Sequence, residues 1–287
     1  MREPARVAAA TAAMRAASGL EVTVKCRLGV DGLDSYAALA SFVRTVSEKG
    51  GVAHFIIHAR TCLLAGLSPA QNRAVPPLRP GWVAALARDF PHLRFTLNGG
   101  LAGSHSVERA LAGVPGGGDA GGTTAPSLAG GMVGRAAYHT PWHALADADA
   151  GLYGAASNPT PSRRALLAAY AAYADGARAD AAAACERAGA AAAADPAAPR
   201  PRQPPSVRTL VAPLLGLFHG APRARTWRNA IDTALRGGPD SVAAVLEVRR
   251  REERERGRGR APVSLSPPSI PPHSQHASLP LFFSVTT

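Results

Sequence analysis

The stretch Phe55-Ile-Ile-His58-Ala-Arg60 is an apolar run that ends in a polar, basic signature. Three other apolar runs end likewise in a polar or glycine signature: Val22-Thr-Val-Lys25-Cys-Arg27 before it, then Phe95-Thr-Leu-Asn98-Gly-Gly100 and Gly131-Met-Val-Gly134-Arg135 after it. From Lys25 to His58, on to Asn98 and on to Arg135, the steps are 33, 40 and 37 residues. Each step has room for a strand, a crossover helix and two loops. Reactive groups at the C-terminal ends of successive parallel strands are how a (β/α)8 barrel builds its active site. Eight such units close a barrel, and four are visible. The pattern therefore predicts an α/β fold: the C-terminal half of a (β/α)8 TIM barrel over residues 1–154.

The segments between the runs agree. Residues 3–17 read as a helix with Pro4 in its first turn. Residues 36–49 carry Tyr36, Leu39, Val43 and Val46 at helical spacing, with Asp34 or Ser35 as cap and Gly50-Gly51 as stop. Strands are expected over 20–26, 54–58, 93–97 and 131–134, and helices over 81–89, 105–112 and from 136. The long loop 61–80 follows a strand end, where a barrel carries its active-site face. The Gly-rich segment 115–130 reads as a surface insertion.

From residue 155 the strand signal ends. Residues 162–174, 207–218 and 224–236 read as helices, so a small all-α domain is expected over 155–247. An Ala/Pro-rich insertion at 176–206, helical in part and a linker over 196–205, interrupts it. Residues 248–287 are basic, then Pro- and Ser-rich, and disorder is expected there.

The chain of 287 residues carries a formal net charge of +12, spread along its length. A basic surplus fits an anionic partner such as RNA, and codon bias is the plain alternative. Among 32 basic residues only Lys25 and Lys49 are lysines, which singles out Lys25. The three cysteines, Cys26, Cys62 and Cys185, form no CxxC pair, which suggests a reducing compartment. No apolar run reaches the ~20 residues of a membrane span. No metal-ligand cluster stands out, and a monomer is expected. For the amino terminus, an ordinary helix is expected, with an organellar transit peptide as the alternative.

Each motif has a plain reading beside the functional one. Lys25 at a strand end can reach a phosphate or a flavin edge, or be a solvated surface lysine. His58 can serve a ligand or only satisfy a local hydrogen bond. Asn98-Gly99-Gly100 can open backbone N–H groups to an anion or be a simple turn. Gly134-Arg135 after the next strand supplies a matching N–H and a guanidinium, and paired glycine loops are the usual phosphate cradle of such barrels. Arg225 and Arg228 share one face of the helix expected at 224–236 and fit RNA phosphates, or a solvated basic face.

Together these strings resemble the tRNA-dihydrouridine synthases, specifically the tRNA-dihydrouridine(20/20a) synthase subgroup. The resemblance rests on Val22-Thr-Val-Lys-Cys-Arg-Leu-Gly-Val-Asp31 and His58-Ala-Arg60. Gly66-Leu-Ser-Pro69, Asn72-Arg73, Pro76-Pro-Leu78 and Asn98-Gly-Gly100 continue it. Gly134-Arg-Ala-Ala-Tyr138 follows, then Gly216-Leu-Phe-His-Gly220 with Arg225 and Trp227-Arg228. It implies an FMN-dependent enzyme that reduces uridine in the tRNA D-loop to 5,6-dihydrouridine, with NADPH as reductant. It implies FMN contacts at Lys25, His58, Asn98, Gly99, Gly100, Gly134 and Arg135, and tRNA contacts at Arg73, Arg225 and Arg228. The family's acid cysteine matches no residue here and is expected upstream of Met1. The chain thus reads as the C-terminal part of such an enzyme, cytoplasmic or organellar, and inactive alone. A non-catalytic RNA-binding remnant is the alternative. A flavin barrel acting on a small molecule is a third reading, and Gly216-Leu-Phe-His-Gly220 speaks against it.

Overall fold

A computed structural model describes residues 1–113, 128–194 and 202–247. Most of the expected insertion at 115–130 and the whole tail at 248–287 lie outside the described residues. The chain divides into two compact units. The first comprises Met1–Ala137 with Asp147–Ala156; the second comprises Tyr138–Ala146 and the described residues from Ser157 onward.

The first unit alternates helix and strand: α1 (Pro4–Ser18), β1 (Val24–Arg27), α2 (Tyr36–Gly50), β2 (His54–His58), α3 (Pro80–Asp89), β3 (Arg94–Asn98), α4 (Ser104–Leu111) and β4 (Gly130–Met132). Two short helices follow: α5 (Arg135–His139), along which the chain leaves the first unit, and α6 (Pro141–Leu145) of the second; α7 (Ala148–Tyr153) belongs to the first again. The strands form one parallel sheet in the order β1-β2-β3-β4.

Local chemistry sets the helix ends. Ser35 caps α2 by accepting from the Ala38 N–H at 3.1 Å. Gly51, in the left-handed region at φ 65, ends it. Side chains alternate along each strand. Phe55, Ile57, Phe95 and Leu97 therefore share one face, fully or almost fully buried, in one cluster with Leu39, Val43 and Val46 of α2 and Val83 and Leu86 of α3. Phe55 and Phe95 stack with centroids 6.0 Å apart.

In the second unit the described elements are helical: α8 (Arg163–Ala194), α9 (Val207–Val211), a 3-10 turn at Ala212–Gly216, and α10 (Ala224–Arg236). Two expectations change here. The helix expected at 162–174 runs on to Ala194, because alanine favours helix and the two interior glycines, Gly176 and Gly189, cost only about 1 kcal/mol each. The helix expected at 207–218 breaks after Val211 into the 3-10 turn, where Pro213 has no N–H to donate.

Trp227 anchors this unit. It is buried, donates Nε1–H to the Leu214 carbonyl at 2.8 Å, and lies 4.7 Å from the Phe218 ring. Residues 242–247 form a further helical turn that the sequence reading missed. Asp175 accepts their first N–H groups, from Val242 at 2.6 Å and Ala243 at 3.0 Å. The Gly216-Leu-Phe-His-Gly220 motif has a packing reason: a Cβ at Gly216 would lie 2.6 Å from the His139 carbonyl carbon.

Candidate functional site

The register decides which side chains meet. Arg27 pairs with His58, His58 with Asn98, and Asn98 with Met132. By alternation, Lys25 and Arg27, Ile56 and His58, and Thr96 and Asn98 share the face opposite the helices. Beneath this row, His54 Nε2 lies 2.8 Å from Thr96 Oγ1, with both residues buried.

Lys25 is displaced from its expected place. It pairs with Ile56, two residues before the row, and is exposed, while Arg27 stands beside His58. Apolar content marks where a strand can run, but pairing with β2 decides where it ends. The spacing Lys25-Cys-Arg27 already placed both cations on one face, and that signal could have found Arg27.

Asn98 ends β3. Its carbonyl accepts from the Ala59 N–H at 2.9 Å, and its Nδ2 lies 2.8 Å from Met132 Sδ. Gly99 and Gly100 then turn with φ of +100 and +76, a region that side chains rarely enter. A Cβ at Gly99 would lie 2.7 Å from His58 Cδ2, and one at Gly100 would lie 2.8 Å from Leu78 Cδ1. Glycine is therefore required twice over, and the bare backbone lies against His58. After β4, a Cβ at Gly134 would meet nothing within 4 Å, so the approach to Arg135 is open.

Electrostatics set the character of the site. Burial first, then the charges of Arg27, Lys25, Arg60 and Arg135, hold the His58 imidazole down to about 4. It is neutral at pH 7. Burial and Arg27 also lower the Lys25 ammonium. Arg27 is lowered by burial and by Arg60 and Arg73, with Cys62 acting against them. No carboxylate is among the charges acting on His58. Four cations around one neutral ring, partly withdrawn from water, suit an anion.

Cys26 faces away from this row. It packs against the apolar cluster, and burial pushes its thiol up to about 12. Arg73, exposed at the end of the 3-10 turn Gln71–Arg73, lies close enough to Arg27 to act on its charge. In the second unit, Arg225 and Arg228 are exposed on α10 on either side of buried Trp227. Arg60 and Asn72 were not among the expected site residues, although both touch this machinery.

Comparison with known proteins matches residues 1–169 to the family model described as Dihydrouridine synthase (Dus). The chain belongs to the dihydrouridine synthase family. It is 40% identical over 231 residues to the tRNA-dihydrouridine(20/20a) synthase of Xanthomonas campestris pv. campestris, covering 80% of this chain and 56% of that protein. With the protein of the same name from Salmonella typhi the identity is 36% over 242 residues, 84% of this chain and 60% of that one. With that from Pseudomonas syringae pv. tomato it is 42% over 167 residues, 58% and 45%. The chain thus spans between 45% and 60% of the length of these curated relatives. Among its described residues no helix is long and apolar enough to cross a membrane.

Proposed function

We propose that this chain carries the phosphate-binding side of an FMN-dependent tRNA-dihydrouridine(20/20a) synthase, which reduces uridine in the tRNA D-loop to 5,6-dihydrouridine with NADPH as reductant. The observation that carries the reading is the strand-end row of Arg27, His58 and Asn98, flanked by the Gly99-Gly100 turn and by Arg135. In this reading residues 1–154 are the C-terminal half of a TIM barrel, and 155–247 a helical tRNA-binding domain.

The residues present fit a phosphate monoester. The Gly99-Gly100 backbone and the open Gly134 position allow close approach of N–H groups. Arg135 supplies charge-assisted hydrogen bonds. Neutral His58 donates one ring N–H, and Asn98 orients its amide toward the same face. Lys25 serves the edge of the flavin or its phosphate. When bound, reduced FMN supplies the hydride for the uracil ring. Arg73, Arg225 and Arg228 hold tRNA phosphates, in a D-loop whose target base must leave its stack. The proton donor for uracil C5 is assigned to no residue of this chain. Cys26 is turned away with a raised pKa, and Cys62 lies in the loop after β2.

The test is titration of FMN into the chain of residues 1–287, followed by flavin fluorescence. Saturable binding that inorganic phosphate competes away, and that Arg135→Ala with Gly100→Val removes, is the expected result. Unchanged affinity in that double variant sinks the assignment. A second reading, RNA binding without catalysis, rests on Arg225 and Arg228, both exposed on α10. Dihydrouridine formation in unmodified tRNA by this chain, given FMN and NADPH, would exclude it.

A further inference from the structure

The loop between β2 and α3 is held by two arginines. Arg27 reaches it from β1, donating from Nη1 to the carbonyls of Thr61 at 3.0 Å and Asn72 at 2.7 Å. Arg60 reaches it from the exit of β2, donating from Nη1 to the carbonyls of Ala74 at 3.0 Å and Pro76. Asn72, buried, ties the loop to itself: Oδ1 accepts from the Leu63 N–H at 2.9 Å and Nδ2 donates to the Leu63 carbonyl at 2.6 Å. At the neck, the Arg79 N–H donates to the Ala59 carbonyl at 2.8 Å.

Apolar burial does little for this loop. Leu64 is 62% exposed and Val75 61%. Hydrogen bonds order it instead: the four arginine bonds to backbone carbonyls, with the Asp31 N–H on the Cys62 carbonyl at 2.7 Å and the Leu64 N–H on Asp31 Oδ1 at 2.8 Å. Both guanidiniums spend only Nη1 on the loop. Among the described residues, their Nε and Nη2 atoms make no hydrogen bond. A guanidinium has five donors in a rigid plane, so each can hold the loop and an anion at once. Arg27 pairs in register with His58, and Arg60 follows His58 by two residues, so both stand at the anion site. The same loop carries Leu78, which packs over the Gly99-Gly100 turn, and Arg73.

We propose that Arg27 and Arg60 are positioning residues that couple the order of loop 61–79 to occupancy of the anion site beside His58. An anion that fixes the free edges of the two guanidiniums also fixes the carbonyls bound to their Nη1 atoms. Leu78 is then held over the glycine turn, and Arg73 is presented to the substrate. The inference rests on the proposed function only in taking the anion to be the phosphate of FMN.

The test is hydrogen exchange of the full chain, with FMN and in parallel with inorganic phosphate, in wild type, Arg60→Met, Arg60→Lys and Arg27→Met. In wild type either ligand should slow exchange in residues 61–79 about tenfold, the least expected of a charge-assisted hydrogen bond, and leave α2 unchanged. In both Met variants the free loop should exchange faster and the ligand-dependent protection should vanish. Arg60→Lys keeps the charge without the planar fork, so ligand affinity should recover while loop protection does not. Equal protection in wild type and the Met variants overturns the proposal. If a Met variant loses protection in α2 as well, the Lys variant decides. Phosphate protection without FMN binding leaves the coupling standing and removes the flavin reading. FMN binding with an unaltered loop does the reverse, and binding of neither removes both.

Discussion

Arg27 and Arg60 at the sheet and Arg225 and Arg228 on α10 are the same residue type in opposite settings. The first pair is tied to backbone carbonyls, and Arg27 is half-buried. The second pair is exposed, without an ion-pair or hydrogen-bond partner among the described residues. Desolvated, oriented cations act at short range and specify one geometry. Solvated cations act through counterion release and tolerate many. The difference predicts that the sheet arginines govern a small anion and the α10 arginines a polyanion.

The largest expected effect tests the sheet side. Gly99→Val meets a positive φ and the His58 ring together. FMN affinity should fall by about 3 kcal/mol, over a hundredfold, from strain and overpacking. Isothermal titration checks it, and a loss under threefold would break the contrast. Next, Arg135→Ala should cost about 1.5–3 kcal/mol of FMN affinity, the range for a hydrogen bond to a charged group, with tRNA binding little changed.

The third effect belongs to α10. Replacing Arg225 and Arg228 together should lower the slope of log K for tRNA against log salt by about 1.4 to 1.8, with FMN affinity untouched. Filter binding across salt concentrations measures it. If deleting residues 249–260 abolishes binding while the double replacement does nothing, α10 is not the RNA surface.

The last effect is on stability. Burial and its cationic neighbours lower His58 to about 4 from an ordinary 6.5. Between those values the unfolded chain binds a proton that the folded chain does not, so stability falls as pH drops from 6.5 toward 4. Above 6.5 the contribution is flat. Melting temperatures across that window should show the slope in wild type and lose part of it in His58→Gln.

Much of this was legible in the sequence. The apolar runs marked all four strands, and β2 at His54–His58 and α10 at Ala224–Arg236 match their expected bounds. Capping chemistry placed the ends of α2. The glycines at 99 and 100 were readable as a turn, although the sequence could not show that His58 and Leu78 leave no room for a Cβ. The break after Val211 was readable from Pro213, and the extension of α8 from its alanines, by weighing propensity more closely.

The sequence by itself determined the alternation of strand and helix, the family and most of the residues at the strand ends. Those follow from periodicity and short motifs, which act over a few neighbouring residues. Only the tertiary structure decided that Arg27 rather than Lys25 stands beside His58, and that Arg27 and Arg60 grip a loop up to 45 residues away in sequence. Side-chain alternation fixes the face on which a residue lies. Its neighbour across the sheet is fixed by register, a non-local property set by the pairing of whole strands.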